Sequence, residues 1–148
     1  MPSPAFMSIA LEEARAAGAR GEVPVGCVVV RDGTVVARAG NRTIADHDPT
    51  AHAELIAIRA AASTLGSERL TDCDLYVTLE PCAMCAAAMS FARIRRLYFG
   101  AADAKGGAVE HGVCFFAAPT CHHRPEVYGG INESECGELL KSFFQARR

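Results

Sequence analysis

Hydrophobic and polar positions change period along the chain, from helical spacing to strand-like runs. Between Pro4 and Arg20 the apolar residues recur at helical intervals, which predicts a first helix. Two runs rich in β-branched residues, 23–30 and 34–37, then flank the pair Asp32-Gly33. Such a pair between two strands is a strong hairpin signal, so we expect an antiparallel first pair.

The rest of the chain alternates between helical and strand patterns. In order, the predicted elements are a helix from Asp48 to about Ser63, a strand over 74–79, a helix from Cys82, strands over 94–99 and 126–131, and a helix over 133–146. Asn132 and Glu135 are spaced as a capping pair for the last helix. Alternation favours parallel pairing through right-handed crossovers. The sequence therefore predicts a three-layer α/β/α fold, with a mixed sheet of about five strands.

Composition narrows the class of protein. The 148 residues are 50% hydrophobic and 22% charged, which predicts one globular domain over 1–148. A net charge of −2 argues against a strongly basic nucleic-acid coat, although it leaves room for a local basic patch. The first residues lack the features of a signal peptide, and we find no long apolar run. We therefore expect a cytoplasmic protein without a membrane segment.

Two of the seven cysteines, Cys82 and Cys85, are closely spaced. Three residues apart on a helix, they share a face and can bind one ion. Pro81 is expected to be the first helical residue, which places Cys82 among the free amide donors of the helix start. A thiolate is favoured there, and thiolate is the form that zinc requires.

His52 is the candidate third ligand, and Glu54 follows two residues later. Two residues correspond to about 200° around a regular helix, so these side chains can meet only in front of the helix start. Three N/S ligands leave an open position on a tetrahedral zinc ion, as in catalytic sites. We expect one Zn²⁺ per chain, with Glu54 taking a proton from water and passing it to the substrate.

Other interpretations of the cysteine pair remain open at this point. A Cys-x-x-Cys pair can also be a packing or redox feature. Cys121, His122 or His123 could supply a fourth ligand and close the site into a structural one.

The motifs His52-Ala-Glu54 and Pro81-Cys-x-x-Cys85 resemble the signature of the cytidine-deaminase-like superfamily. From about Glu22 onwards the chain most resembles the TadA-type tRNA adenosine deaminases. The matching stretches are Val23-Pro-Val-Gly26, Asn41-Arg42, His47 to Glu54, Tyr76 to Cys85, Phe99-Gly-Ala101, Asp103-Ala-Lys105, Gly107-Ala108, and Phe143-Phe144 before Arg147-Arg148.

This resemblance implies hydrolytic deamination of adenosine to inosine at the wobble position of a tRNA anticodon, by zinc-bound hydroxide with Glu54 as the proton carrier. It also implies a homodimer formed in part by the helix around 86–91. Carried over by position, six residues contact the anticodon loop. They are Asn41 at the flipped nucleotide, Asp103 and Lys105 along the loop path, and Phe144, Arg147 and Arg148 at flanking nucleotides.

The chain departs from the family pattern at Ala102, where many relatives carry Arg, and over Gly112 to Tyr128. Basic residues form two further groups. One is a cluster of Arg93, Arg95 and Arg96 that we expect to have no acids nearby, and the other is Lys141 with the terminal arginines. Two alternatives stay open. One is a deaminase of a free base or nucleoside of the guanine or cytosine type, and the other is a non-catalytic zinc module that binds RNA. Glu54 counts against the second alternative.

Overall fold

A computed structural model describes residues 3–147 of the chain. Arg148, one of the predicted RNA-contacting residues, lies outside this range. The described elements are α1 (Pro4–Ala19), β1 (Gly26–Arg31), β2 (Thr34–Gly40), α2 (Ala53–Leu65), β3 (Cys73–Leu79), α3 (Ala83–Ala92), β4 (Arg96–Ala101), β5 (Glu126–Tyr128) and α4 (Glu133–Gln145).

The strands form one five-stranded mixed sheet in the order β2-β1-β3-β4-β5. β1 is antiparallel to both β2 and β3, whereas β3, β4 and β5 are parallel. Asp32 and Gly33 join β1 to β2 with φ angles of 51° and 74°. Both residue types tolerate positive φ, which a two-residue hairpin turn of this hand requires. The predicted mixed sheet with an antiparallel first pair is confirmed.

Helices cover both faces of the sheet. α1 and α4 pack together on one face, and α2 and α3 pack together on the other. Gly26 and Gly40 are paired across β1 and β2. A Cβ atom on Gly26 would lie 1.9 Å from the carbonyl oxygen of Ala10, and one on Gly40 would lie 2.7 Å from that of Glu13. Only glycine therefore lets α1 lie this close to the strands, and the predicted α/β/α layering is confirmed.

The prediction that a helix begins at Asp48 is wrong, because α2 begins at Ala53. The carboxylate of Asp48 instead accepts hydrogen bonds from the amide and the hydroxyl of Thr50, at 2.8 and 2.7 Å. This local arrangement competes with helix formation and holds residues 48–50 in a turn. The turn leaves His52 at the N-cap of α2.

The start of α3 also differs, and α4 begins at Glu133 as predicted but without the predicted cap. Cys82 is the N-cap of α3, so Pro81 precedes the helix and is not its first residue. Asn132 is the N-cap of α4 with a φ of 53°, and its side chain makes no capping hydrogen bond. The predicted capping pair of Asn132 and Glu135 is therefore wrong, because the side chain of an N-cap residue caps from the extended region rather than from a left-handed backbone.

β4 begins two residues later than predicted, because the end of α3 uses Arg93 and Ile94. Arg93 adopts a φ of 63°, and the amide of Ile94 donates to the carbonyl of Met89 at 3.1 Å. Within residues 3–147, none of the helices combines the length and the apolar character needed to cross a bilayer.

Candidate zinc centre and active site

Three side chains converge where α2 and α3 begin. His52 and Cys82 are the N-caps of these helices, and Cys85 lies in the first turn of α3. Nδ1 of His52 lies 3.6 Å from Sγ of Cys82 and 3.6 Å from Sγ of Cys85. All three donor atoms lie within 4.8 Å of one another. The predicted ligands are therefore brought together by two helix starts on the same face of the sheet.

The spacing of these donors fits zinc. A tetrahedral ion with Zn–S of about 2.3 Å and Zn–N of about 2.0–2.1 Å places nitrogen and sulfur about 3.6 Å apart. Both nitrogen-to-sulfur distances in the protein have this value. One imidazole and two thiols are also the donor types that zinc prefers over harder cations. We conclude that the cluster is a zinc site with three protein ligands.

The two thiols have opposite tendencies to ionise in the protein alone. Hydrogen bonding from Cys85, and then from His52, lowers the pKa of Cys82 to about 4. Cys85 donates to this thiolate and is buried, so its pKa is raised far above the ordinary value. A bound dication ionises coordinating thiols outright, so it would allow both to be thiolates.

The start of α2 is capped by a residue from another part of the chain. His52 makes no side-chain cap, and Oδ1 of Asn41, just beyond β2, accepts from the amide of Ala53 at 2.8 Å. This bond fixes the orientation of the helix start that carries His52. The oxygen of the Asn41 carboxamide is therefore engaged, and its NH₂ group remains for a ligand in the neighbouring cavity.

Glu54 lies in the first turn of α2 and is only 4% exposed. Burial raises the pKa of its carboxyl to about 7. Within the described part of the chain, it does not belong to the ligand cluster, which consists of His52 and the two cysteines. Its carboxyl group lines a cavity together with His52 and Cys82. This placement suits a group that handles protons beside a metal ion.

The cavity at the zinc site has a volume of about 290 Å³. A larger groove of about 890 Å³ adjoins it, and the two spaces share four lining residues, Val23, Leu79, Asp103 and Gly106. The far side of the groove is formed by α4. A small pocket for one ring and a larger surface for its attached groups therefore adjoin.

The predicted RNA-contacting residues within the described range line these two spaces. Asn41 lines the cavity, Asp103 lines both, and Lys105, Phe144 and Arg147 line the groove. Oδ1 of Asp103 accepts from the amides of Lys105 and Gly106, which form a tight turn.

The guanidinium of Arg147 lies 3.5 Å from the centroid of the Phe143 ring. This cation–π contact holds an otherwise exposed arginine at the groove. The sequence indicates Phe143 only as part of a matching motif, and the structure gives it this specific contact.

The alternative of a closed structural zinc site is wrong. The thiol of Cys121 donates to the carbonyl of His123 at 3.1 Å, and Nε2 of His123 donates to the carbonyl of Ile94 at 2.7 Å. In the stretch from residue 3 to residue 147, neither belongs to a metal-binding cluster, and His122 is exposed. These residues attach the 118–124 loop to the end of α3.

The description of Arg93, Arg95 and Arg96 as a cluster without nearby acids is also wrong. Arg95 forms a two-pronged pair with Asp74, with nitrogen–oxygen distances of 3.0 and 3.1 Å. Arg96 lies 3.2 Å from Glu126. The strand pairing of β3, β4 and β5 brings these acids to the arginines, which sequence distance could not reveal.

Sequence reasoning missed two buried carboxylates beside the cavity, Glu22 and Glu80, which are 1% and 2% exposed. Burial alone would raise the pKa of each, but hydrogen bonds from loop amides lower both values. Glu22 accepts from the amides of Ile44 and Ala45. Glu80 accepts from amides of the loop that follows β4. An acid directly after an apolar strand was the available signal for Glu80.

The fold and the site together place this protein in the class of zinc-dependent deaminases with three α/β/α layers. The profile of the cytidine and deoxycytidylate deaminase zinc-binding region matches residues 2–101. A tRNA-specific adenosine deaminase of Agrobacterium fabrum is 64% identical over 97% of this chain and 94% of its own length. One from Bacillus subtilis is 41% identical over 97% and 89%. The chain therefore belongs to the tRNA-specific adenosine deaminases of the cytidine and deoxycytidylate deaminase family.

Solved structures agree with this assignment. A structure from a study of A-to-I editing by tRNA:A34 deaminases at the wobble position superposes with a TM-score of 0.92 at 64% identity, covering 93% of this chain and 100% of the other. A guanine deaminase from Bacillus subtilis superposes with a TM-score of 0.65 at 32% identity, covering 80% of this chain and 86% of the other.

Proposed function

We propose that this protein deaminates adenosine to inosine at the wobble position of a tRNA anticodon. The observation that carries the proposal is the small cavity at the zinc ligands and Glu54, which opens onto a groove with basic and aromatic side chains. Such a pairing fits one reacting base with its neighbours still attached. The 64% identical relative is named a tRNA-specific adenosine deaminase, which supports the same substrate here.

The reaction exchanges the amino group of the base for a water oxygen and releases ammonia. Zinc held by His52, Cys82 and Cys85 supplies Lewis-acid activation of water. Glu54 accepts one proton from water and delivers it to the ring nitrogen as the oxygen adds to the base. It then passes the remaining proton of the added hydroxyl to the amine, which leaves as ammonia when the C–N bond breaks. Asn41 lines the same cavity, and because its oxygen accepts from the Ala53 amide, we propose that its NH₂ group donates to the bound base.

RNA loops suit the groove better than a duplex does. Enzymes that modify a base must take it out of the stack, and the free-energy cost of doing so is low for a base in an unpaired loop. Binding then needs few phosphate contacts and an aromatic platform. Phe144 is half exposed in the groove beside Lys105 and Arg147. A net charge of −2 is therefore compatible with RNA binding through this local surface. Because tRNA is the proposed substrate, we also propose a cytoplasmic enzyme.

A free-base deaminase is the second candidate, since a guanine deaminase shares the fold at 32% identity. A free base needs only the cavity of about 290 Å³ and gains nothing from the groove of about 890 Å³. The groove therefore favours a base attached to a chain. A purely structural zinc module fits less well, because burying the carboxyl of Glu54 beside the metal is costly without a function for it.

The decisive experiment offers the purified zinc enzyme two substrates in parallel. One is an anticodon stem-loop with adenosine at the wobble position, and the other is free guanine. We expect inosine in the stem-loop and no ammonia from guanine. A stem-loop whose only loop adenosine lies outside the wobble position is the matched control and should remain unchanged. Rapid guanine deamination with an unchanged wobble adenosine would contradict the proposal.

We also propose a homodimer in which α3 forms part of the interface. Phe91 on this helix is 76% exposed. Together with Leu55, Ile58 and Ala88 it lines a surface depression of about 340 Å³. Large exposed apolar groups of this kind mark interaction sites. Sedimentation should give a dimer at micromolar concentration and a monomer for Phe91→Asp. Val113→Asp, at another exposed apolar residue, should remain dimeric, and a monomeric wild type would refute the proposal.

A further inference from the structure

The loop between Asp103 and His111 is folded around one carboxylate, that of Glu80. Oε1 accepts from the amide of Asp103 at 2.9 Å and lies 2.8 Å from Nδ1 of His111. Oε2 accepts from three successive amides, those of Val109, Glu110 and His111, at 3.2, 2.9 and 3.0 Å. One side chain therefore satisfies donors at both ends of the loop.

The loop is packed tightly against the segment that carries this carboxylate. The amide of Ala108 donates to the carbonyl of Pro81 at 2.9 Å. A Cβ atom on Gly107 would lie 2.5 Å from the carboxyl carbon of Glu80, so this position requires glycine. The Glu80 side chain has no exposed surface, because the loop covers it. Glu80 lines the cavity, but with its side chain fully covered it does so through its backbone, and the carboxylate faces the loop.

The same loop is the wall shared by the cavity and the groove. Asp103 and Gly106 line both spaces, and Lys105 lines the groove. The amide of Asp103 donates to the Glu80 carboxylate. The carboxylate of Asp103 in turn accepts from the amides of Lys105 and Gly106. A chain of hydrogen bonds therefore connects the buried carboxylate to the surface that faces the proposed RNA.

We propose that Glu80 is a positioning residue, whose carboxylate fixes the 103–111 loop in the shape that receives the RNA loop. This inference rests on the proposed function. Glu80 acts on substrate affinity through the loop, whereas the proton transfers belong to Glu54. Zinc binding depends on the neighbouring Cys82, and it does not require the Glu80 carboxylate.

Replacing the carboxylate by an amide tests this directly. In Glu80→Gln one oxygen becomes an NH₂ group, which cannot accept from the amides that point at it. An amide that loses its charged acceptor remains unsatisfied. This loss should shift the equilibrium between the ordered and the open loop by about tenfold or more. Glu80→Asp keeps both oxygens and the charge on a shorter side chain, so it should restore part of any loss. Glu12→Gln makes the same chemical change on an exposed residue of α1 and is the matched control.

The first measurement is amide hydrogen exchange of the zinc-loaded proteins. In Glu80→Gln we expect exchange in residues 103–111 to be faster by about tenfold or more, with α2 unchanged. The second measurement is deamination of the anticodon stem-loop with zinc content determined on the same samples. We expect KM to rise about tenfold or more, kcat to stay within about threefold, and zinc to be retained. Glu12→Gln should match the wild type in both measurements.

Three outcomes would overturn the inference. They are unchanged loop exchange, a loosened loop with an unchanged KM, and a fall in kcat that accompanies loss of zinc. Should Glu80→Gln not fold, His111→Ala removes one donor only and should raise KM by about two- to fivefold. A wild-type protein that leaves the stem-loop unmodified would refute the proposed function. The exchange measurement would then decide by itself whether Glu80 anchors the loop.

Discussion

At the zinc centre, the polar groups are buried or half-buried, and partners from distant parts of the chain hold His52 and its helix. His52 lies between two thiols, and Asn41 caps its helix across the site. Along the groove, Lys105 and Arg147 are exposed, and the arginine contacts the Phe143 ring and donates a long hydrogen bond of 3.4 Å to the Phe143 carbonyl. The two regions adjoin, yet their side chains have very different freedom to move.

The difference indicates how each region acts. Buried, pre-positioned groups stabilise a transition state without reorganising, so a single change there removes most of the effect. Exposed cations on flexible stems contribute a modest, salt-sensitive attraction, and several of them share it. The largest effects of substitution should therefore lie in the centre and the smallest along the groove.

Loss of a zinc ligand should have the largest effect. Cys82→Ser and His52→Ala should lower zinc content well below one ion per chain and reduce deamination to background, because metal affinity depends on the complete donor set. Cys121→Ser and His123→Ala should keep full zinc content, since they affect only the attachment of the 118–124 loop to α3. Metal analysis of the four purified proteins checks this. Metal loss in either control would support a structural zinc site with a fourth protein ligand.

Replacement of Glu54 should be nearly as damaging while leaving the metal in place. Since one general acid–base group typically contributes about 10²–10⁴-fold and Glu54 serves several transfers, Glu54→Ala should lose about 10⁴-fold or more in single-turnover rate. Glu54→Gln should be almost equally slow, because an amide cannot carry the proton. Zinc and stem-loop binding should persist in both. A Glu54→Ala protein with full zinc and near-native turnover would refute the proposed role.

Asn41 belongs to both regions, and two variants can separate its roles. Asn41→Ala removes the cap of α2 and should lower the free energy of unfolding by about 1 kcal/mol. Asn41→Asp keeps an acceptor for the Ala53 amide but loses the NH₂ donors, so its stability should be retained. Both should raise KM for the stem-loop by about fivefold, the value of one neutral hydrogen bond. Denaturant unfolding and kinetics measure the two effects, and a native KM in Asn41→Asp would exclude the substrate contact.

The terminal arginines should have the smallest effect. Arg147→Ala with Arg148→Ala should weaken stem-loop binding by a few fold at moderate salt. The slope of log affinity against log salt should fall by about 0.7 for each phosphate that the protein no longer neutralises, as for single strands. Arg69→Ala removes an exposed charge remote from the groove and should leave the slope unchanged. Equal slopes for all three proteins would show that the arginines do not contact phosphate.

Local signals in the sequence were reliable where they act over a few residues. The hairpin at Asp32-Gly33 was predictable because its turn demands particular residue types. The helix at Asp48 was not, because the apolar pattern continues through a segment that the Asp48 side chain holds in a turn. Apolar periodicity reports which residues are buried, and hydrogen bonding decides where a helix begins.

The sequence by itself determined the sheet with its helices, the zinc donors and the proposed proton carrier, since each depends on residue types at short, fixed spacing. Only the tertiary structure decided which distant groups complete the site. Asn41, just beyond β2, caps α2, and the Glu80 carboxylate accepts hydrogen bonds from a loop more than twenty residues away. Asp74 neutralises Arg95 because β3 pairs with β4. A buried polar group must find partners wherever the fold supplies them, and that requirement leaves no periodic trace in the sequence.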